Sequence, residues 1–273
     1  MKSPIGVFDS GYGGLTVLNS LKKVLNKHDF IYLGDNARAP YGTRSFELVY
    51  KYTLEAVKYL FDQNCHLIVL ACNTASAKAL RTIQQNDLPN LYPNRRVLGV
   101  LRPTTEEVGK FTKSGFVGIL GTTGTINSNS YQIEINKFFP KVNVIQQSCP
   151  MWVPMVENNS IIEEGGLYYV QKYLKELFEK ESKIDTIILG CTHYPLLRKS
   201  IERFLPPNVK IVEQGSLVAR KLKDYLNRHQ NLNNKITKNG SFEILTTENN
   251  DKFDAHLKLF YGDNLKSQKV NLG

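Results

Sequence analysis

The sequence predicts an α/β fold of two similar domains, each a mainly parallel sheet flanked by helices, with the active site in the cleft between them. Three observations carry this. Apolar, β-branched runs of strand length alternate with segments of helical period along the chain, the pattern of parallel strands covered by helices on both faces. Two of those runs are versions of each other: Leu67-Ile68-Val69-Leu70-Ala71-Cys72-Asn73-Thr74 and Thr186-Ile187-Ile188-Leu189-Gly190-Cys191-Thr192-His193 both end in a small residue, a cysteine and a polar pair. A strand with a glycine-polar turn precedes each of them, Gly6 to Gly14 in the first half and Phe116 to Thr125 in the second. Ligands in open α/β sheets sit beyond the C-terminal ends of the strands. Both cysteines, 119 positions apart (191 minus 72), therefore stand where chemistry is done.

Taken in order, Ile5 to Phe8 is a short strand, and Asp9-Ser10-Gly11-Tyr12-Gly13-Gly14 is a turn whose glycines let the backbone approach a ligand. The G-x-G-x-x-G spacing of a dinucleotide site is absent. Asp9 is either a base or orienter with Ser10 as a hydrogen-bond donor, or part of a helix cap; its place beside the active edge favours the first. Leu15 to Leu25 is a helix and Phe30 to Leu33 a strand, followed by the polar loop Gly34 to Ser45, in which Tyr41 and Gly42 offer phenol and backbone contacts. Ser45 caps a helix carrying Val49, Tyr52, Ala56 and Leu60 at helical spacing. The Cys72 strand leads into a helix over 75–85, then Val97 to Leu101 is a strand and Arg102-Pro103 a helix start.

The second half repeats the scheme. Phe116 to Leu120 and Val142 to Ile145 are strands, and Leu167, Val170, Leu174 and Leu177 mark a helix before the Cys191 strand. Pro195 stands at the next helix start. The tail holds a strand Val209 to Glu213, a helix Ser216 to Arg228, a strand Phe242 to Thr246 and a helix near Phe253 to Phe260. It lacks a third cysteine motif and is expected to return to the first sheet. The domains are thus 1–97 plus 209–273, and 98–208.

Composition bounds the function. With 273 residues, 41% of them hydrophobic, the chain can bury a good core. The opening Met1-Lys2-Ser3-Pro4 runs directly into Ile5-Gly6-Val7-Phe8, without the basic start, apolar core and cleavage site of a leader, and no run reaches membrane-spanning length. The four cysteines are not closely paired, unlike a secreted disulfide scaffold. A soluble, cytoplasmic protein is expected, with no membrane partner. The net charge of +10 comes from lysines and arginines spread over separate segments, such as Lys22-Lys23, Arg95-Arg96 and Lys235. That is a solvated surface rather than a nucleic-acid face, and its potential mildly favours an anionic small substrate.

For Cys72 and Cys191 several roles stand open. They can be packing residues, but zinc would need ligands that no C-x-x-C pair or close histidine supplies, so no metal is expected. A regulatory disulfide is uncommon in the cytosol. A nucleophile with His193 as its base leaves the second cysteine unexplained. Acid–base work uses both, one thiolate taking a proton and the opposite thiol giving one, with thiols poised toward operating pH by their surroundings. Cys65 and Cys149 lack the polar pair and are expected to pack.

The set Phe8-Asp9-Ser10-Gly11-Tyr12-Gly13-Gly14-Leu15, Gly34-Asp35 through Ala39-Pro40-Tyr41-Gly42, Ala71-Cys72-Asn73-Thr74-Ala75-Ser76, Gly121-Thr122 through Thr125-Ile126 and Gly190-Cys191-Thr192-His193-Tyr194-Pro195-Leu196-Leu197 resembles the glutamate racemases, in the order of that family and over nearly the whole chain. The resemblance implies cofactor-independent interconversion of L- and D-glutamate for bacterial peptidoglycan. It implies that Cys191 deprotonates the L-enantiomer and Cys72 the D-enantiomer, with Asp9 assisting Cys72 and His193, oriented by Glu157, assisting Cys191. Asp9, Ser10, Tyr41, Gly42, Asn73, Thr74, Thr192 and His193 would bind substrate, with Thr122 and Thr125 behind them. A homodimer is a common assembly of the family. Arg102 departs from it, standing where a glutamate usually precedes the proline. The rivals are a racemase of aspartate or another small acid, and a two-domain ligand-binding or thiol-sensing protein without turnover.

Overall fold

Ten strands form two all-parallel sheets in the computed structural model, which describes residues 3–262 and 265–272. Met1 and Lys2 of the opening segment lie outside the described residues, as do Asp263, Asn264 and Gly273. The first half supplies β1 (Ile5–Asp9), β2 (Phe30–Gly34), β3 (Leu67–Leu70) and β4 (Arg96–Gly99). The second supplies β5 (Phe116–Gly121), β6 (Asn143–Ser148), β7 (Thr186–Gly190) and β8 (Lys210–Val212). The tail adds β9 (Phe242–Thr246) and β10 (Gln268–Lys269).

The strand orders are β10-β9-β2-β1-β3-β4 and β6-β5-β7-β8. Without β9 and β10 the sheets have one topology: a central first strand, the second on one side, and the third and fourth on the other. β1 thus corresponds to β5 and β3 to β7, and the repeated sequence features fall on equivalent strands.

Strand alternation shows why both faces need helices. In β3, Leu67 and Val69 point into a core that includes Leu15 and Leu18 of the helix Gly14–Val24, whereas Ile68 and Leu70 point into one with Val49, Ala56 and Leu60. Those last three lie on the helix Phe46–Asp62, which starts where the Ser45 hydroxyl accepts the Leu48 N–H at 3.2 Å. The core that includes Leu15 continues into the second lobe through Val117, Ile119, Trp152 and Leu189.

Some elements differ from the sequence reading. The helix expected over 75–85 starts at Asn73 and is broken into Asn73–Lys78 and Leu80–Thr82, followed by a π-helical turn, Ile83–Asp87. It starts early because the Cys72 sulfur accepts the Ala75 N–H at 3.4 Å and serves as the cap. The segment from 209 onward does not return at once to the first sheet: β8 pairs with β7, so Lys210–Val212 completes the second. The return runs through the helix Gln214–Arg228, packed against Gly14–Val24, to β9 beside β2. No described helix is long and apolar enough to cross a membrane.

Candidate active site

The C-terminal ends of the two sheets face each other. Asp9 ends β1, Cys72 follows β3 by two residues, Thr122 follows β5, and Cys191 follows β7. Contacts across the gap join the lobes: Thr192 Oγ1 donates to Asp9 Oδ2 at 3.3 Å, and Thr74 and Thr122 hydroxyls lie 2.9 Å apart. Between them lies a cleft of about 110 Å3 whose lining includes Ser10, Gly42, Cys72, Asn73, Thr122 and Cys191. Tyr41, Thr74, Thr192, His193 and Glu157 line it as well.

The two cysteines, both buried, sit in different surroundings. Cys72 caps the first turn after β3, with the Ser10 hydroxyl 3.4 Å from its sulfur. Burial pushes its thiol up to about 12; the Asp9 carboxylate adds to the rise, and hydrogen bonds from Ser10 and Ala75 oppose it. Asp9 is itself fully buried and raised by that burial, opposed by the charge of His193 and by the N–H groups of Gly11 and Gly14. Gly11 N donates to Asp9 Oδ1 at 2.9 Å, so the carboxylate is held by the turn that follows β1.

Cys191 faces a histidine instead. Its sulfur stands 3.9 Å from His193 Nδ1, and His193 Nε2 stands 2.9 Å from Glu157 Oε1. Burial alone would lower His193, but hydrogen bonds to Cys191 and Glu157 and the negative charge of both carry it up to about 10. These partners favour the protonated ring. Phe260 packs edge-on against it at 5.1 Å, and His256 on the same C-terminal helix, Asn250–Phe260, bonds the Glu157 carbonyl at 3.2 Å.

Other polar groups back the cleft. Thr74, Thr122 and Thr125 form a hydroxyl cluster with separations of 2.9, 3.2 and 3.0 Å. The Tyr41 phenol donates its proton to the buried Asp35, which also takes Arg38 Nε at 2.7 Å and the Thr247 hydroxyl at 2.9 Å. Arg102 lies outside the lining, exposed and paired with Glu106 at 2.8 Å. Cys65 and Cys149 are buried away from it. Among the described residues no group of three or more His, Cys, Asp or Glu side chains is placed to hold a metal ion.

Sequence reasoning missed Tyr131 and Gln214, and it placed Asp35 in a motif without giving it a role. Tyr131 OH donates to Asn73 Oδ1 and Gln214 Nε2 donates to Tyr131 OH, both at 2.7 Å. Neither residue lies in a motif; only the folded chain brings them behind the cleft.

Paired parallel sheets with strand ends facing across a polar cleft, and a thiol on each side, define a two-lobed α/β enzyme built for chemistry at one small molecule. Residues 5–222 match the family described as Asp/Glu/Hydantoin racemase. The chain belongs to that family and is an amino-acid racemase. It is 38% identical over 270 residues to a glutamate racemase of Streptococcus equi subsp. equi, covering 98% of each chain. To a glutamate racemase of Geobacter metallireducens it is 43% identical over 217 residues, 79% of this chain and 77% of that one. Among solved structures it resembles a glutamate racemase isoform of Bacillus anthracis at TM-score 0.89 and 34% identity, covering 99% and 98% of the two chains. It also resembles the Francisella tularensis glutamate racemase in complex with D-glutamate at TM-score 0.88 and 32% identity, with the same coverage.

Proposed function

We propose that this protein interconverts L- and D-glutamate without a cofactor, using Cys72 and Cys191 as acid and base on opposite faces of the substrate Cα. One observation carries the reading: two thiols follow equivalent strands, β3 and β7, and line one cleft from opposite lobes. The glutamate racemases it resembles, one of them in complex with D-glutamate, supply the substrate.

Starting from L-glutamate, Cys191 as thiolate takes the Cα proton, with the His193 imidazolium beside it as counter-charge. The C–H electron pair moves into the planar carbanion-like species, and the Cys72 thiol returns a proton to the other face. The high pKa of Cys72 suits it to hold that proton in the empty site. In the reverse direction the roles exchange, with Asp9 and Ser10 next to Cys72. Charge developing on the substrate carboxylate is met by Asn73, Thr74, Thr192 and the backbone amides of the strand-to-helix turns. The lobes shield these bonds from water, which strengthens them.

On this reading the protein works in the cytoplasm, supplies D-glutamate for peptidoglycan and assembles as a homodimer. The test is L-glutamate in D2O, followed by polarimetry and by loss of the Cα proton signal in NMR. The expected outcome is racemisation with solvent deuterium in the product. Cys72→Ser and Cys191→Ser should each lose on the order of 10²–10⁴-fold in rate. Full activity in either variant would overturn the two-thiol mechanism; turnover of aspartate in place of glutamate would overturn the substrate.

A further inference from the structure

Behind Asn73 runs a buried chain of hydrogen bonds that crosses from one lobe to the other. Asn73 opens the helix after β3 in the first lobe; Tyr131 lies on the helix Ser130–Phe138 of the second; Gln214 opens the helix Gln214–Arg228 that returns the chain. Gln214 Nε2 stands 3.2 Å from the Val100 carbonyl, 3.2 Å from Thr104 Oγ1 and 2.7 Å from Tyr131 OH. Tyr131 OH stands 2.7 Å from Asn73 Oδ1. All three side chains are buried, Asn73 at 1% exposure, Tyr131 at 0% and Gln214 at 5%.

The direction of the bonds that lead to Asn73 follows from the groups themselves. A backbone carbonyl only accepts, so the end of Gln214 beside Val100 is its NH2. That NH2 donates to the Tyr131 oxygen, so the single phenolic proton goes onward to Asn73 Oδ1. With Asn73 turned the other way, its NH2 would also point at the phenol, and the phenolic proton would be buried without an acceptor, at a cost of about 1–3 kcal/mol. Asn73 thus keeps its carbonyl toward Tyr131 and its NH2 free of that bond, on a residue that lines the cleft. That nitrogen, Nδ2, is buried with no hydrogen-bond partner among the described residues, the condition of a donor waiting for a ligand.

We propose that Gln214 and Tyr131 are positioning residues: they form a proton-ordered relay that fixes the Asn73 amide as a donor to the substrate carboxylate. The inference deepens the glutamate reading above and rests on it. The relay draws members from both lobes and from the connection at Val100 and Thr104, so the donor is set only when the lobes are in register.

Two nearly isosteric substitutions break the relay differently. Tyr131→Phe removes the proton that Asn73 accepts. Gln214→Glu replaces the donor with an acceptor, which draws the phenolic proton away from Asn73. Each should raise the KM for both glutamate enantiomers about tenfold or more, with a smaller change in kcat, as expected for losing a donor to a charged group. The double variant should be no worse than the worse single, because either change alone ends the relay. A purely structural role predicts lowered Tm in both variants with wild-type KM in the folded fraction, and that result overturns the inference. If the wild type does not turn glutamate over, the racemase reading fails, and the same proteins are titrated with L-glutamate by calorimetry. Weaker binding in both variants then upholds the relay; equal binding, or none in the wild type, overturns it.

Discussion

Each thiol of the cleft keeps its own company, and the two halves of the reaction inherit the difference. Cys72 has a raised carboxylic acid, Asp9, and a serine hydroxyl beside it; Cys191 has a histidine braced by Glu157. His193 is raised to about 10 partly by the Glu157 carboxylate, so its charge persists below that pH and is lost above it. Glu157→Gln removes the carboxylate charge and should bring the deprotonation of His193 to lower pH. The alkaline limb of kcat/KM with L-glutamate should then move down by roughly one unit, since about 1.4 kcal/mol of lost charge interaction is one pKa unit. The substrate ammonium titrates alike against both proteins, so the shift belongs to the enzyme; an unmoved limb would show that Glu157 does not brace His193. The cysteines, Asp9 and His193 were visible in the sequence because each sits at the end of an apolar strand-like run. Tyr131 and Gln214 were not, because their roles depend on contacts 58 and 83 positions away along the chain.

At the scale of the element, Ala39 to Thr43 form one wall of the cleft, in a segment built of two short 3-10 turns, Asn36–Arg38 and Tyr41–Thr43. Such short turns have little stability of their own, and what holds them is the buried Asp35 carboxylate. Arg38, Tyr41 and Thr247 all donate to it. Thr247 follows β9, so the wall is pinned by the C-terminal return of the chain as well as by the first lobe. Tyr41→Phe should destabilise the protein by about 1–3 kcal/mol, because the carboxylate stays buried with one donor fewer. Urea unfolding would show this as a lower midpoint at unchanged slope, and an unchanged midpoint would remove the phenol from the wall's support. The sequence marked this stretch as a polar loop at the active edge, but a loop pattern does not reveal which phenol serves substrate and which serves a neighbour. The same limit explains the misplaced β8: a short apolar segment, Lys210–Val212, carries no information about which of two similar sheets it joins. β10 has two residues, both exposed, and no alternation to read.

The whole molecule is two copies of one strand order set tip to tip, and its function depends on how closely the tips approach. Gly13 marks the tightest place. A methyl group added there would stand less than 3.0 Å from Thr192 Oγ1 and from two atoms of the His193 ring. No Cβ is accommodated at that distance, so either the turn after β1 or the turn after β7 must move. Thr192 and His193 carry the link to Asp9 and the partner of Cys191, so the movement falls on both sides of the cleft at once. A displacement of about 1 Å in a positioned catalytic group costs on the order of 10²-fold in rate. Gly13→Ala should therefore lose activity on that scale in both directions of racemisation while retaining its circular dichroism spectrum. Gly165→Ala is the matched control, since no atom of the described residues lies within 4 Å of the added methyl and the position is inside the exposed start of a helix. It should leave kcat/KM unchanged and raise stability by up to about 1 kcal/mol. Wild-type kinetics in Gly13→Ala would mean that the lobes can separate at this point without consequence, and that the cleft is closed by contacts elsewhere, such as the Thr74–Thr122 pair.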